Sequence, residues 1–485
     1  MKIIILTEGS SLIGFGHVTR CLSLYQAFHE IDLPVQLIVN GDSSIEPLLL
    51  NVDYIILDWI NDCDKLYKLF TKSDILVIDS YLADSSFYET LSQIVSLLVC
   101  IDDNKRISYP EGIIVNGNIY GDKLDYPTVE GVNYLLGCEY TPLRREFWME
   151  SDKIIEKSVR SIMITFGGDD LRNLTSPVSE SLVKLYPNII KRVVIGGGFK
   201  EVNIIEDVMD DNTELIFYPD ANMMRMIMLE SDIAVSGGGQ TLYELARLGV
   251  PVIAVGVALN QTFNLDYWQR TGFISHAGFW DEINLLSNIT VKLESLMDMN
   301  IRLVKSLIGK KLVDGKGAVR IARYCLNKYY SKLIKCRVLE SKDIFNVYNL
   351  SNSNFVRGNS FNTDKIMFED HREWFKGKLV SDDNLFLIVE IDDEFAGQVR
   401  FDFTGDMATV SISIVEQFRG YGLSFNILGE SINYLKQYAP FIRIVNAYIK
   451  CDNKRSLTLF EKLGFKFKVK VIVDNQTALN YQYKL

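Results

Sequence analysis

The pattern of hydrophobic and polar positions divides the chain into three consecutive regions. In the first two, short β-branched runs alternate with helical periodicity, which is the βαβ signature of a parallel sheet. The predicted strands of the first region are 2–6, 35–39, 75–79 and 97–101. Those of the second region are 161–166, 192–195, 214–218, 233–236 and 252–255. We therefore predict an α/β protein with two doubly wound, Rossmann-like domains, at residues 1–150 and 151–332, with a cleft between them.

A different pattern begins near residue 336, after a helical stretch at 303–333 that contains the turn Asp314-Gly315-Lys316-Gly317. From there the predicted order is a strand, helices, a run of strands, a helix, another strand and a last helix. The strands of this region are predicted at 385–389, 397–403, 408–414 and 443–448. This order is typical of a mixed α+β fold rather than of a third doubly wound domain. We predict a third domain at residues 336–485.

Composition and charge restrict the function. The 485 residues are 48% hydrophobic and 23% charged, which is ordinary for globular domains. The formal charge of −11 argues against extended contact with nucleic acid or anionic lipid, because both need a basic surface. No apolar run approaches a signal-peptide core or the ~20 residues of a membrane span. We expect a cytoplasmic protein with neither nucleic acid nor a membrane as a partner.

The cysteines and histidines argue against a metal centre. The seven cysteines are scattered without a C-x-x-C pair, and the four histidines have no metal-binding spacing. We therefore expect no metal, and we expect the chemistry to come from side chains, backbone amides and an organic cosubstrate.

A glycine-rich segment, residues 9–20, follows the first predicted strand and opens the first predicted helix. Glycines let backbone N–H groups approach a ligand, and a helix N-terminus favours negative charge, so Gly14 and Gly16 are predicted to bind substrate. A dinucleotide-binding loop or a simple tight turn would show similar glycines. His17 favours a catalytic site, because the helix dipole is expected to keep its imidazole neutral and able to accept a proton from water.

Two further polar residues are expected near His17. Arg20 lies three residues later on the same helix face, where it is predicted to hold an anionic or polar substrate group. Asp79 stands at the carboxyl end of a predicted strand, where ligands bind in open α/β sheets, and is the second catalytic candidate. A histidine at a helix start also occurs as a cap or packing residue, and a strand-end aspartate also occurs as a cap.

The second region has a glycine triplet, residues 237–239, between a predicted strand and a predicted helix. Its amides are predicted to bind a diphosphate, with Gly238, Gly239, Gln240 and Thr241 as substrate contacts. Glu244, about one turn into the helix, is placed to accept hydrogen bonds from both ribose hydroxyls. A glycine-rich turn with an incidental glutamate is the alternative.

With these residues, the segment 237–261 resembles the nucleotide-binding stretch of GT-B glycosyltransferases that act on UDP-sugars. Residues 13–21 resemble one subfamily, the UDP-2,4-diacetamido-2,4,6-trideoxy-β-L-altropyranose hydrolases of pseudaminic acid biosynthesis. The resemblance spans roughly residues 1–325. It implies a GT-B arrangement of the first two domains and a UDP-linked amino sugar as substrate. It also implies a metal-free hydrolysis in which water replaces UDP at the anomeric carbon.

Other stretches match the same hydrolases: Asp79-Ser80-Tyr81, 101–103, 115–116, 166–169 and Asn260-Gln261. The resemblance therefore implies further substrate contacts, and these are Tyr81, Gly168, Asn260 and Gln261.

In the third region, residues 417–423 lie between a strand and a helix and have the sequence Gln-Phe-Arg-Gly-Tyr-Gly-Leu. This arrangement places backbone N–H groups and an arginine where a pyrophosphate could dock. Together with Asn453, Ser456 and the later Leu463-Gly464-Phe465, it resembles the acetyl-CoA site of GNAT acetyltransferases. The resemblance implies acetyl-CoA as cosubstrate. The implied contacts are Gln417, Arg419, Gly420, Tyr421, Gly422, Leu423, Asn453 and Ser456.

Among GNAT enzymes, residues 360–375 and 397–402 resemble those that acetylate the 4-amino group of a UDP-linked amino sugar, over about 336–475. His371 and Trp374, within the first stretch, are more typical of a packed helix face than of catalytic groups.

One residue departs from the family. A tyrosine usually follows the CoA-contacting asparagine by seven residues as the general acid, and here that position is Phe460, which cannot donate a proton. Solvent or another hydroxyl, that of Tyr421, Tyr448 or Ser456, would then protonate the thiolate. Alternatively, the thiolate leaves unaided or the transferase activity is reduced.

The sequence therefore predicts a bifunctional enzyme that acetylates a UDP-linked 4-amino sugar and then hydrolyses the product. Fusion would raise the local concentration of the intermediate. Two alternatives remain: a glycosyltransferase that hands the sugar to an acceptor, and a hydrolase with a non-catalytic GNAT module. Acceptor-dependent release of UDP and turnover of acetyl-CoA distinguish them.

Overall fold

The computed structural model describes residues 1–10, 13–150 and 153–485. These residues form two compact units, 1–325 and 326–485. Residues 11–12, within the predicted glycine-rich segment, and residues 151–152, at the predicted boundary between the first two domains, lie outside the described residues. The division into domains at 1–150, 151–332 and 336–485 stays a prediction. In the described residues, no helix combines the length and the apolar character that a membrane span needs.

The first unit begins with a parallel sheet whose strand order is β3-β2-β1-β4-β5-β6-β7. Its strands are β1 (Ile3–Gly9), β2 (Val35–Gly41), β3 (Tyr54–Ile56), β4 (Ile75–Asp79), β5 (Leu97–Ile101), β6 (Gly112–Asn116) and β7 (Val132–Leu136). The helices between them are α1 (Gly16–His29), α2 (Cys63–Tyr67) and α3 (Ser85–Ile94). The order reverses between β1 and β4, so this sheet is doubly wound. Open α/β sheets generally bind their ligands at such a reversal.

A second parallel sheet follows, with the order β10-β9-β8-β11-β12-β13. Its strands are β8 (Ser161–Thr165), β9 (Ile190–Ile195), β10 (Thr213–Phe217), β11 (Ile233–Gly237), β12 (Val252–Gly256) and β13 (Ile274–Phe279). Side chains alternate along a strand, so Ile162 and Ile164 pack in one hydrophobic cluster while Met163 packs in another. Helices therefore cover both faces, as buried parallel sheets require.

The helices that accompany this sheet include α7, which begins directly after the glycine triplet. They are α4 (Thr175–Leu185), α5 (Val202–Glu206), α6 (Ala221–Glu230), α7 (Thr241–Leu248), α8 (Thr262–Thr271), α9 (Leu285–Leu296) and α10 (Met299–Leu312). The next helix is α11 (Gly317–Ser331), within which the first unit ends at residue 325. The predicted α/β class with parallel sheets is confirmed for this part of the chain. The stretch at 303–333 is divided between α10 and α11, because Gly315 adopts φ 77° in the turn between them.

The second unit contains a mixed sheet with the order β14-β15-β16-β17-β18-β20-β19. Its strands are β14 (Ile334–Val338), β15 (Asn384–Ile391), β16 (Glu394–Thr404), β17 (Met407–Ile414), β18 (Ile444–Lys450), β19 (Lys466–Val473) and β20 (Gln476–Lys484). The helices are α12 (Ile344–Ser351), α13 (Asn354–Asn359), α14 (Phe368–Val380), α15 (Leu423–Tyr438) and α16 (Lys454–Lys462). The predicted α+β character is confirmed, but α16 is not the last element, because the hairpin β19–β20 follows it.

Candidate active sites

His17 and Asp79 form the centre of the first site. His17 is the second residue of α1, and Asp79 is the last residue of β4, where it is paired with Thr7 of β1. His17 Nδ1 lies 2.7 Å from Asp79 Oδ1. An ionised carboxylate only accepts hydrogen bonds, so Nδ1 carries the proton and Nε2 is the basic nitrogen.

The charges around this pair change both pKa values. Burial alone lowers the pKa of His17, but the charge and hydrogen bond of Asp79 outweigh burial, so the pKa of His17 is raised. Burial alone raises the pKa of Asp79, but Arg20 and His17 hold it well below its ordinary range. The helix dipole was expected to lower the pKa of His17, and this direction is wrong, because the sequence did not reveal a carboxylate at hydrogen-bond distance. A raised pKa makes Nε2 a better proton acceptor once it is neutral.

Arg20 is held by two carboxylates. Its Nε and Nη2 donate to Asp79 at 2.8 and 2.7 Å, and its Nη1 and Nη2 donate to Asp103 at 2.7 and 3.1 Å. Asp103 follows β5, the strand beside β4, so the two carboxylates meet at one edge of the sheet. The structure thus shows Arg20 orienting and neutralising these carboxylates, while its predicted contact with substrate stays a prediction.

Tyr81 is held beside His17 by a buried carboxylate. The ring centroids of Tyr81 and His17 are 4.6 Å apart in an edge-on arrangement, and the Tyr81 hydroxyl donates to Asp103 at 2.6 Å. Glu8, a fully buried residue of β1, accepts hydrogen bonds from the Tyr81 amide at 2.8 Å and from the Ser80 hydroxyl. Glu8 therefore fixes the turn after β4 and with it the position of Tyr81.

The glycine triplet lies at the second reversal of strand order, between β8 and β11. A Cβ atom on Gly238 would lie 2.9 Å from Leu265 and 3.0 Å from Gln261 Oε1, so the packing requires glycine there. Gln261 in turn accepts a hydrogen bond from the Val257 amide at 3.0 Å. α7 follows this turn at once, and no side chain caps its start. The amides of Leu242 and Tyr243 donate to the carbonyls of Gly239 and Gln240 at 3.2 and 3.0 Å.

Glu244 lies in the first turn of α7 with its side chain only 6% exposed. Its Oε1 accepts hydrogen bonds from Arg144 Nη2 at 2.7 Å and Nε at 3.2 Å. Arg144 belongs to the segment that connects the two parallel sheets. One oxygen of Glu244 therefore already accepts hydrogen bonds from Arg144. The predicted hydrogen bonds from ribose would be made to this carboxylate in the orientation that Arg144 gives it.

The structure brings the predicted residues of the two sheets close together. Arg20 and Gln240 line one narrow cavity, together with Asn118. A Cβ on Gly168, after β8, would lie 3.9 Å from the ring of Phe15, two residues before His17. The loops that follow β1 and β8 are therefore neighbours, as a substrate spanning both would need.

The remaining predicted residues of the first unit lie at helix starts and turns. Gly14 has φ 90°, which a side chain would strain, and Gly16 begins α1. Thr241 begins α7, and Asn260 is exposed in the 3₁₀ turn Leu259–Gln261. Their substrate contacts stay predictions.

In the second unit, the segment 417–423 joins the end of β17 to the start of α15. Gly420 and Gly422 have φ 86° and 79°, and no side chain caps the first amides of α15. Gln417 Nε2 donates to Glu394 at 3.0 Å, and the Tyr421 carbonyl accepts from Asn327 at 2.9 Å. Leu423, the first residue of α15, is buried in the core, so only its backbone can contribute to a ligand site at this turn.

The strands β17 and β18 separate towards this turn. β17 pairs in parallel with β18 only over 407–409 and 444–446, although β17 continues to Ile414 and β18 to Lys450. Beyond the pair Thr409 and Asn446, no ladder of backbone hydrogen bonds joins β17 to β18, which leaves a gap between these strands. The gap leads to the turn at 417–423, so an extended ligand could take backbone hydrogen bonds in the gap and place a diphosphate at the helix start.

Asn453 lies at the other side of the gap, between β18 and α16. Its Oδ1 accepts a hydrogen bond from the Ser456 amide at 3.1 Å and caps α16. Both residues follow β18 directly and are half-buried. The predicted acetyl-CoA residues therefore flank the gap on both sides.

Comparison with known proteins identifies this unit. The family model described as acetyltransferase (GNAT) domain matches residues 336–466. A Bacillus subtilis protein, YwnH, whose name assigns it provisionally to the phosphinothricin acetyltransferases, is 34% identical over 138 residues, which are 27% of this chain and 82% of that protein. Residues 336–466 belong to the GNAT acetyltransferase family.

The chain is also similar to hydrolases. The Helicobacter pylori pseudaminic acid cytidylyltransferase and UDP-2,4-diacetamido-2,4,6-trideoxy-β-L-altropyranose hydrolase is 22% identical over 325 residues, or 66% of this chain. The Campylobacter jejuni hydrolase of the same UDP-sugar is 24% identical over 191 residues, or 38% of this chain. The chain spans 55% and 66% of the lengths of these two relatives.

In the GNAT domain, the position that usually has a tyrosine belongs to the core. Phe460 is 4% exposed and packs edge-on against Phe465, with ring centroids 4.9 Å apart. His371 is also buried, and its Nε2 lies 3.2 Å from the Ile344 carbonyl oxygen. Burial lowers the pKa of His371, which agrees with the interpretation as a packed helix face.

Sequence reasoning missed several residues of the first site. Asp103 and Ser80 lie in stretches that were matched to the hydrolases, but nothing in the sequence assigned them a role. Glu8 interrupts an apolar strand, which was the one available signal for a buried carboxylate with partners. Arg144 had no signal, because its contact with Glu244 joins residues 100 positions apart.

Proposed function

We propose that this chain is a bifunctional enzyme of pseudaminic acid biosynthesis. Its N-terminal part hydrolyses UDP-2,4-diacetamido-2,4,6-trideoxy-β-L-altropyranose at the anomeric C–O bond, with its two parallel-sheet domains in a GT-B arrangement. Its GNAT domain acetylates the 4-amino group of the UDP-linked precursor with acetyl-CoA. The names of the two hydrolase relatives and the GNAT family model support this pairing.

The hydrogen bond between His17 and Asp79 carries the hydrolase proposal. It holds Nδ1 as the donor and leaves Nε2 as the base, at the crevice where a doubly wound sheet binds its ligand. His17 Nε2 removes a proton from water, and the water oxygen forms a bond to the anomeric carbon. The C–O bond to UDP breaks, and its electron pair stays on the diphosphate.

The departing diphosphate needs stabilisation of its charge. The amides around Gly238 and Gly239 and the start of α7 supply hydrogen-bond donors and the positive end of a helix dipole. UDP leaves as a stabilised anion, so this step does not need a proton donor.

In the GNAT domain, the gap between β17 and β18 fits the extended pantetheine of acetyl-CoA, and the turn at 417–423 fits its diphosphate. The amine attacks the thioester carbonyl, the C–S bond breaks, and the ammonium proton passes to solvent. Phe460 lies in the core and has no hydroxyl, so the thiolate is not protonated from this position.

The hydrolase proposal is tested with the pre-acetylated UDP-sugar in water enriched in ¹⁸O. We expect UDP and free sugar as products, with the label in the sugar, because water attacks carbon. Label in UDP would mean attack at phosphorus, and transfer of the sugar to an added acceptor in preference to water would support a glycosyltransferase instead.

Replacing Asp79 with Asn should move the pH profile of hydrolysis. His17 must be neutral to act as a base, so the rate of the native enzyme should rise through its raised pKa. Without the negative charge this pKa falls, and the rise should move to lower pH with a lower plateau, since the imidazole is less well oriented. The measurement is kcat between pH 5 and 9. An unchanged acid limb would mean that His17 does not titrate in the rate.

Replacing Glu244 with Ala should weaken binding more than turnover. Ribose contacts are similar in the ground and transition states, so KM should rise by about tenfold to a hundredfold while kcat changes little. The control is Glu180→Ala, which removes an exposed carboxylate of the same unit. A large fall in kcat at saturating substrate would assign Glu244 a chemical role.

A further inference from the structure

A single face of α13 contacts both sides of the gap between β17 and β18, where acetyl-CoA is proposed to bind. The ring of Phe355 covers the guanidinium of Arg419, with 4.2 Å from Cζ to the ring centroid. Asn359 accepts a hydrogen bond from Asn453 Nδ2 at 3.1 Å. These two residues are four positions apart and therefore lie on the same helix face. Neither residue belongs to the turn at 417–423 or to the start of α16.

The contact with Phe355 constrains the orientation of Arg419. Arg419 Nε donates to the Ile414 carbonyl at 2.7 Å, so one edge of the guanidinium is used inside the protein. Its Cζ lies over the ring of Phe355. The two Nη nitrogens then remain to bind a diphosphate. The guanidinium that carries them is held by one hydrogen bond and one aromatic ring.

The position of Phe355 is imposed by the backbone around it. Gln476 Nε2 donates to the Phe361 carbonyl at 2.7 Å, just after α13. Arg357 Nε donates to the Ser351 carbonyl at 2.7 Å, just before it. With the bond from Asn453 to Asn359, the helix is attached on both sides. A large aromatic side chain that is 45% exposed is therefore held over a cation instead of packing in the core.

We propose that Phe355 is a positioning residue of the acetyl-CoA site, which acts through Arg419 by holding its guanidinium ready for the diphosphate. This inference rests on the proposed acetyltransferase function. It makes α13 part of the acetyl-CoA site, beside the turn at 417–423 and Asn453.

The test is calorimetric titration of the full chain with CoA, which carries the same diphosphate and needs no acetyl transfer. Phe355→Leu should weaken CoA binding by about threefold to tenfold, the order of one cation–π contact. Phe355→Trp should keep most of the affinity, because it keeps an aromatic face. Phe345→Leu, an exposed ring on α12 that stacks on Phe368, is the matched control and should bind like the native chain.

A double-mutant cycle shows whether Phe355 acts through Arg419. Arg419→Ala should weaken binding by about tenfold to a hundredfold, and adding Phe355→Leu should then change nothing further. Equal binding by the native chain and Phe355→Leu, or additive losses in the double variant, would overturn the inference alone. Failure of the native chain to bind CoA would overturn it together with the acetyltransferase proposal.

Discussion

Replacing His17 with Asn is expected to reduce hydrolysis of the UDP-sugar by roughly 10²–10⁴-fold, the usual contribution of a general base. Asparagine keeps a polar side chain that can donate to Asp79, but it has no basic nitrogen near neutral pH. Binding of UDP should survive, because the glycine triplet lies at the end of β11 and Glu244 lies in α7, on other elements than His17. Acetyl transfer should be unchanged, since the GNAT domain belongs to the other compact unit.

The matched control is His29→Asn, the same substitution at the exposed last residue of the same helix. Single-turnover hydrolysis and UDP titration of both variants separate the effects on chemistry and binding. Near-normal hydrolysis by folded His17→Asn protein would remove His17 from the mechanism. Loss of UDP binding together with activity would make it a binding residue.

Replacing Gly420 with Asp is expected to abolish acetyl transfer while hydrolysis of the pre-acetylated substrate continues. A carboxylate in the turn would repel the diphosphate of acetyl-CoA. Like charges at a binding site weaken the binding free energy by several kcal/mol, which corresponds to a loss of affinity of about 100-fold or more. Arg419→Glu should have the same effect, because it reverses the charge at the same place. Initial rates of both reactions on the same preparation provide the comparison.

Gly405→Asp provides a control with the same charge and a similar backbone. Gly405 and Gly420 both have positive φ and open space where a Cβ would stand, but Gly405 lies in the turn between β16 and β17, at the other end of β17. This variant should keep both activities. If Gly420→Asp lost hydrolysis as well while remaining folded, the assignment of the two reactions to separate sites would be wrong.

The sequence predicted the elements of the first site better than their contacts. The patterns of β1, β4 and β5 were recognised because parallel strands are nearly continuous apolar runs. The contact between His17 and Asp79 depends on the register of β1 against β4, which no local pattern encodes. The predicted pKa direction of His17 was wrong for this reason, since a carboxylate at 2.7 Å acts more strongly than a helix end.

Arg20 shows a second limit of the same kind. Helix spacing placed it beside His17, and the structure agrees. Its ion pairs with Asp79 and Asp103 were not foreseen, because carboxylates at the ends of neighbouring strands become a pair only when the sheet forms. The two carboxylates then require a cation between them, and Arg20 supplies it, while its contact with substrate stays a prediction.

In the GNAT domain, the turn at 417–423 was recognised because its glycines and arginine are adjacent in the chain. The hairpin β19–β20 was missed, since most residues of β19 are exposed and no buried face produces a clear alternation of apolar positions. The contact between Phe355 and Arg419 joins residues 64 positions apart and likewise left no trace in the local pattern.

The bifunctional proposal is tested most directly by incubating the full chain with the UDP-linked 4-amino sugar, with and without acetyl-CoA, and following the products by ³¹P and ¹H NMR. With acetyl-CoA, we expect the UDP-linked diacetamido sugar to appear first and to be converted to UDP and the free diacetamido sugar. Without acetyl-CoA, we expect little release of UDP. Equal release of UDP under both conditions, or an acetylated UDP-sugar that accumulates without release of UDP, would contradict the proposal.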